Sequence, residues 1–113
     1  MEQQNNKEHL HILWTNADVT TAKLMVMMYA RNAMKNGWWK EVTGATVKLL
    51  AENEELQEEL KRAESFGVKF TGCIACAEEL NLVDKMKEIG LDLYKWGPPL
   101  TELIKSGAPL LTI

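Results

Sequence analysis

Two cysteines, Cys73 and Cys76, carry the chain's only thiols and lie in the stretch GVKFTGCIACAEEL, residues 67–80. The pattern predicts a short strand, Val68 to Thr71, followed by a glycine, a turn and a helix that begins around Cys76. Ligands and chemistry gather at the carboxyl ends of the strands in α/β proteins. This junction is therefore the first candidate site.

The thiolate is the reactive form of cysteine, and a helix N-terminus favours it. Cys76 has that placement, so we expect it to be the functional thiol; the alternative is a small buried hydrophobe. Cys73 has three interpretations. It could resolve a persulfide or sulfenic acid on Cys76 as a disulfide, it could supply a metal ligand, or it could only pack.

Composition favours a single soluble domain over residues 1–113, with a polar N-terminal tail at residues 1–8. Of the 113 residues, 46% are hydrophobic and 26% charged, and the net charge is −3. Acids and bases are interleaved, so nucleic acid is not an expected partner. The longest apolar run, Leu24 to Met28, is too short to span a bilayer. Without a recognisable signal sequence, we expect a cytoplasmic protein with reduced thiols.

Strand and helix patterns alternate along the chain. The predicted strands are His9–Trp14, Trp38–Thr43, Val68–Thr71, Leu91–Tyr94 and Pro109–Ile113. The predicted helices are Val19–Lys35, Thr46–Ser65, Cys76–Ile89 (interrupted near Asn81) and Leu100–Ser106. Asp18 is a predicted N-cap of the first helix, and Asn53 of a second segment in the next one. This alternation implies an α/β fold with a parallel sheet.

The first helix carries the most apolar pattern. Its apolar residues at helical spacing are Ala22, Met25, Met28 and Ala33, and Leu24, Met27 and Met34 widen the stripe. Because a solvent-facing helix does not need so broad a surface, we expect part of it to meet a second subunit.

Other candidate sites have weaker signals. Zinc needs four ligands, and His9 and His11 lie at the opposite end of the sheet from the cysteines, so we predict no metal site within one subunit. A thioredoxin-like role is disfavoured because the CxxC follows the third strand. Asn16 and Asp18, after the first strand, could contact a small anion at the same sheet edge, although turn and cap residues look the same. We predict no cofactor.

Four segments together resemble the DsrE/DsrF-like family of small sulfur-relay proteins. They are WTNADVTTAKLMVMMYARNAMKNGWWKEVT, GATVKLLAENEELQEEL, GVKFTGCIACAEEL and GPPLTELIKSGAPLLTI. The resemblance implies a three-layer α/β/α sandwich around a five-stranded parallel sheet, in the order fourth, third, second, first, fifth. It also implies trimers or hexamers, and a persulfide on the cysteine after the third strand. Cys76 best matches that cysteine, Cys73 is an extra thiol, and Asn16 and Asp18 match the loop after the first strand.

The implied function is that of a persulfide carrier, which accepts sulfane sulfur from a donor protein and passes it to an acceptor protein. The alternative is a non-catalytic oligomeric module that binds a small ligand or a protein. One departure stands out: relatives carry several more apolar residues where this chain passes from Thr43 to Gly44. A second strand that ends at Thr43 is only just long enough for a central strand. Either it shifts register to recruit Trp38 and Trp39, or residues are missing there; we expect missing residues.

Overall fold

The structure is a computed structural model that describes residues 8–15, 18–46 and 52–113. Its strands are β1 (His9–Leu13), β2 (Glu41–Thr46), β3 (Lys69–Cys73), β4 (Asp92–Tyr94) and β5 (Leu110–Thr112). Its helices are α1 (Val19–Thr21), the π-helical segment π1 (Ala22–Met28), α2 (Tyr29–Lys35), α3 (Glu54–Ser65), α4 (Ile74–Glu79), α5 (Val83–Ile89) and α6 (Gly97–Ser106). The segments α1, π1 and α2 follow one another without a break and are together called the first helical rod.

All strands pair in parallel in one sheet, in the order β4-β3-β2-β1-β5. The predicted fold class is confirmed, and so is the strand order that the resemblance implied. The chain steps from β1 to β4 in one direction and then crosses back to β5, beside β1. With right-handed crossovers, the first helical rod, α3 and the α4–α5 pair cover one face of the sheet, whereas α6 covers the other.

The main core lies on the face covered by several helices. In β1, Leu10 and Ile12 are buried, while His9 and His11 on the opposite face are only half-buried, as the period of two in a strand requires. The helices bury Ala22, Val26, Met27, Ala30, Ala33, Leu56, Leu60 and Ala63 against them. No residue of α6 is fully buried, so the second face keeps open surface.

The π-helical segment changes which side of the first helical rod is buried. Met25 and Met28, which belong to the apolar stripe identified in the sequence, are 51% and 39% exposed, whereas Val26 is fully buried. A π-helix turns less per residue than an α-helix because its hydrogen bonds reach one residue further. Residues four apart, Ala22, Val26 and Ala30, therefore align on the core side.

Helix ends largely follow the predicted caps. The Asp18 carboxylate accepts a hydrogen bond from the Thr21 amide at 2.8 Å, and the Asn53 side chain accepts from the Leu56 amide at 2.9 Å. The cysteine helix is interrupted at Asn81, whose φ is 62°, so α4 and α5 are separate helices. The prediction that the second helix begins at Thr46 is wrong, because Thr46 belongs to β2; residues 47–51 lie outside the described residues.

β2 corrects the prediction of a short second strand. It begins at Glu41 and continues through Gly44 to Thr46, pairing with His9–Leu13 of β1 and with β3. An ideal Cβ on Gly44 would lie 2.8 Å from the Phe70 ring, so the glycine permits a close approach within the strand rather than ending it. β2 is paired with β1 on one side and with β3 on the other. A short central strand is therefore no longer a reason to expect missing residues after Thr43.

Within the described ranges, no helix is long and apolar enough to cross a membrane.

Candidate functional site

The junction between β3 and α4 contains both thiols. β3 extends to Cys73, two residues beyond the predicted end, and Cys73 is the N-cap of α4. Its sulfur accepts a hydrogen bond from the Cys76 amide at 3.4 Å. Cys76 is thus the third residue of the helix, so the prediction that the helix begins around Cys76 is off by two residues. Both cysteines are free and half-buried.

Several groups near the Cys73 sulfur favour its charged form, and the Cys76 amide lies at hydrogen-bond distance, 3.4 Å. Burial alone would raise the pKa of Cys73, but the Cys76 thiol and the backbone amides of Cys76, Ala75 and Trp96 hold the pKa below its usual value. Hydrogen bonds to the charged form favour that form. Cys73 is therefore the thiol that ionises first.

Cys76 has the opposite environment. The hydrogen bond of its thiol to Cys73 raises the pKa of Cys76, burial and the negative charge on Cys73 raise it further, and its own amide only partly opposes them. The two thiols interact closely, so their titrations belong to the pair. Cys73 caps α4 and Cys76 is its third residue, so the two thiols lie side by side at the start of the helix.

The other residues predicted at this edge lie further away. Asp18 is exposed and its carboxylate accepts from both the Thr21 amide and the Thr21 hydroxyl, at 2.8 Å each; these bonds lower the pKa of Asp18, which burial opposes only weakly. Asp18 follows β1, and β2 separates it from β3, a spacing of about 10 Å between the strands. Asn16 lies outside the described residues. The pair Cys73–Cys76 is thus the compact part of the predicted site.

No family model and no curated protein matches this chain. A solved structure does match it: the conserved protein of unknown function BT1422 from Bacteroides thetaiotaomicron superimposes with a TM-score of 0.89 at 31% sequence identity, over 94% of this chain and 95% of that chain.

The chain belongs to the BT1422 family.

This member of the BT1422 family also contains a cluster of polar side chains that sequence analysis did not predict as a site. On the open sheet face, His9 Nδ1 lies 3.3 Å from Glu41 Oε2, and His9 Nε2 lies 2.7 Å from Thr43 Oγ1. His11 stacks on His9 with ring centroids 3.9 Å apart. The available signal was the alternation of His9 and His11 in β1, which places both on one face; the contacts depend on β2, whose bounds were predicted wrongly.

Burial favours the neutral form of both imidazoles. It lowers the pKa of His9, with Lys69 adding to the effect and Glu41 opposing it. It also lowers the pKa of His11 to about 4, helped by the charge of His9 and opposed by Glu41. No hydrogen-bond partner reaches the buried His11 Nδ1 from any residue that the structure describes.

These histidines border a groove of about 610 Å³ that also touches Thr43, Lys69, Tyr94 and Trp96. Strand register separates them from the thiols: Thr43 pairs with Lys69, at the start of β3, and Cys73 ends the same strand. Four residues of a strand span about 13 Å. In the described part of the chain, no three His, Cys, Asp or Glu side chains converge well enough to hold a metal ion.

Trp96 is another residue that sequence analysis did not place at a site. Its indole Nε1–H donates to Thr71 Oγ1 at 3.2 Å, and Thr71 lies two residues before Cys73 on the same face of β3. No sequence signal identifies this contact, because it joins segments 25 residues apart.

Proposed function

We propose that the protein is a sulfur carrier of the DsrE/DsrF type, in which the Cys73–Cys76 pair accepts sulfane sulfur and passes it to a partner protein. The observation that carries the proposal is the position of Cys73 as the N-cap of α4, where the Cys76 amide donates to its sulfur at 3.4 Å. Such donors stabilise a thiolate, and they would stabilise the terminal charge of a persulfide in the same way.

The transfer steps balance without an outside oxidant. The Cys73 thiolate attacks the terminal sulfur of a donor persulfide; a sulfur–sulfur bond forms on Cys73 and the donor leaves as a thiolate. A partner thiolate can take the terminal sulfur in the same manner. Alternatively, Cys76 attacks the inner sulfur of the Cys73 persulfide, which gives a Cys73–Cys76 disulfide and releases hydrosulfide, with the Cys76 proton leaving on it.

The roles of the two cysteines differ from those expected from the sequence. Cys76 was expected to accept sulfur, and Cys73 was left open as a resolving thiol, a metal ligand or a packing residue. The hydrogen bonds favour the reverse assignment, because they lower the pKa of Cys73 and raise that of Cys76. We therefore propose Cys73 as the acceptor and Cys76 as the resolving thiol.

A carrier also needs docking surfaces for donor and acceptor proteins. We propose a homo-oligomer, a trimer or a hexamer, in the reducing cytoplasm. Support comes from Leu24, Met25 and Trp38, which are 47%, 51% and 58% exposed around the first helical rod. Exposed apolar surface of this kind is typical of protein contacts.

The test is sulfur loading followed by mass analysis. Reduced wild-type protein, Cys73→Ser and Cys76→Ser are incubated with a small-molecule persulfide, and intact protein and peptides are weighed. We expect one added sulfur atom on Cys73 in Cys76→Ser and none in Cys73→Ser, and a disulfide with sulfide release in the wild type. An adduct that disappears only in Cys76→Ser would restore the original assignment. The absence of an adduct on either thiol, under conditions that load a known carrier, would contradict the proposal.

A non-catalytic binding module is the second candidate, favoured by the groove beside His9, His11 and Trp96. A ligand there would contact neutral imidazoles, the Thr43 hydroxyl and aromatic rings. Titration of the protein with a small-ligand library, monitored by the chemical shifts of the two histidines, separates the candidates. Saturable shifts in a protein that loads no sulfur would favour the binding module.

A further inference from the structure

A carboxylate, an imidazole and a hydroxyl lie in contact on the open sheet face. His9 pairs with Glu41 in the ladder of β1 and β2, and Thr43 lies two residues further along β2. His9 Nδ1 lies 3.3 Å from Glu41 Oε2, and His9 Nε2 lies 2.7 Å from Thr43 Oγ1. One ring thus has the carboxylate at one nitrogen and the hydroxyl at the other. A nucleophile, its base and the group that orients the base are arranged in this way in hydrolases of unrelated folds.

The carboxylate determines which nitrogen of His9 carries the proton. An ionised carboxylate only accepts hydrogen bonds, so Glu41 favours the tautomer with hydrogen on Nδ1. Nε2 can then accept the proton of the Thr43 hydroxyl. Burial lowers the pKa of His9, with Lys69 adding to the effect and Glu41 opposing it. The ring is therefore in the neutral form that a general base needs at pH 7.

The groove of about 610 Å³ gives a substrate room beside this hydroxyl, because Thr43 and His9 both line it. Lys69 is the in-register neighbour of Thr43 on β3 and lines the same groove, so it supplies a positive charge beside the hydroxyl. The rings of Tyr94 and Trp96 form another part of the wall, with their centroids 6.4 Å apart. Such a wall suits an aromatic group of a ligand.

We propose that Thr43 and His9 form an acyl-transfer site that hydrolyses small carboxylic esters with an aryl group, with Glu41 as the positioning residue of His9. Thr43 Oγ attacks the carbonyl carbon while its proton moves to His9 Nε2, and the Lys69 ammonium stabilises the oxyanion. The intermediate then breaks its bond to the alcohol, which leaves with the proton from His9. Water attacks the acyl-threonine in the same way and releases the carboxylic acid.

This site does not depend on the proposed sulfur transfer, because the thiols end β3 about 13 Å away. The test therefore uses the Cys73→Ser, Cys76→Ser double variant as the parent, which removes the only two thiols and their own reaction with esters. Sulfur loading is measured separately in the wild type. Ester hydrolysis without sulfur loading, or the reverse, shows which of the two proposals has failed.

The probe is p-nitrophenyl acetate, followed by release of p-nitrophenolate above the spontaneous rate and by peptide mass. We expect an acetyl group on Thr43 and a rate that rises with pH to a plateau, with its midpoint below 6.5, the ordinary pKa of His9. His9→Gln and Thr43→Val should each lower the rate about 100-fold. The double change should cost no more than either one, because nucleophile and base act as a unit.

Three further variants sharpen the test. Thr43→Ser should retain both turnover and the adduct. Glu41→Gln should lower kcat with KM unchanged, because Glu41 contacts the base and not the groove. Thr15→Val is the matched control: it removes an exposed hydroxyl that donates to the Ile113 carbonyl at 3.0 Å, and turnover should not change. Far-UV circular dichroism checks that each variant is folded.

Two results would overturn the proposal. One is turnover and acetylation in Thr43→Val equal to those of the parent. The other is loss of turnover in His9→Gln with none in Thr43→Val, since His9 itself would then be the nucleophile. A parent that neither releases p-nitrophenolate above the spontaneous rate nor carries an acetyl group on Thr43 would also contradict it.

Discussion

The thiol pair and the histidine pair of this protein differ in what shifts their pKa values. At the carboxyl edge of the sheet, backbone amides surround Cys73 and favour its charged form. On the open sheet face, burial dominates around His9 and His11 and favours their neutral forms. The same sheet thus favours a thiolate at one end and neutral imidazoles about 13 Å away.

The difference follows from where each residue lies in the strands. Cys73 is the last residue of β3 and caps α4, so free amides at the helix start are available to it. His9 and His11 lie within β1, where backbone amides already bond to neighbouring strands. A strand interior offers only side-chain partners, and His9 finds them in Glu41 and Thr43.

The largest expected effect tests the strand that lies between the two regions. Gly44→Val places side-chain atoms against the buried Phe70 ring, since a Cβ there would lie 2.8 Å from it. Overpacking of this kind typically costs about 1–3 kcal/mol, and we expect a loss of unfolding free energy of about 2 kcal/mol in urea denaturation. Gly97→Ala is the control, because nothing lies within 4 Å of its added methyl. Equal stability of Gly44→Val and wild type would contradict the close contact between β2 and Phe70.

A somewhat smaller effect tests the neutral state of His11. Its pKa is 6.5 in the unfolded chain and about 4 in the fold, so the unfolded chain binds more protons between these values. The stabilisation is therefore complete above pH 6.5 and is lost as the pH falls toward 4. Because His11 is partly exposed, the full effect of its pKa shift on stability is reduced. Between pH 7.5 and 4.5 we expect the unfolding free energy of the wild type to fall by about 1–2 kcal/mol more than that of His11→Gln.

The measurement is urea denaturation at both pH values, and comparison with His11→Gln removes the contributions of the acidic side chains that both proteins share. Parallel losses in the two proteins would show that His11 is already free to protonate in the fold.

The sequence was sufficient to predict the parts that depend on neighbouring residues. The order of strands and helices, the caps at Asp18 and Asn53 and the break at Asn81 each have a local signal, and each is found. The thiol pair follows the same logic, since strand, glycine, cysteine and helix are adjacent in the chain. Its position at the sheet edge was therefore predicted, although the helix begins two residues earlier than expected.

The features that sequence analysis missed depend on contacts across the sheet. Gly44 was interpreted as a stop because its reason, the Phe70 ring, lies on another strand. The His9–Thr43 bond needs the register of β1 with β2. The π-helical segment that exposes Met25 and Met28 has no recognised local pattern, so an α-helical period misplaced its buried side.

The difference between the two thiols can be measured directly. Cys76→Ser leaves Cys73 with its backbone donors, whereas Cys73→Ser leaves Cys76 without comparable ones. At pH 7 we expect the sole thiol of Cys76→Ser to react with iodoacetamide about tenfold faster than that of Cys73→Ser. The rates are compared with those in urea, where both thiols should react alike. Faster reaction of Cys76 would reverse the assignment of the thiolate.

The smallest expected effect tests whether the two regions are independent. Thr43→Val keeps the branched shape but removes the hydrogen bond to His9 Nε2, 2.7 Å long. We expect a loss of about 1 kcal/mol in unfolding free energy, with no change in the alkylation rate of Cys73. Sites more than about 7–10 Å apart with no shared partner contribute additively to stability, so the loss should be the same in the Cys76→Ser background. A change in thiol reactivity would instead mean that the sheet face and the thiol edge act together. We would then expect the coupling to run through the groove that Thr43 and Trp96 both line.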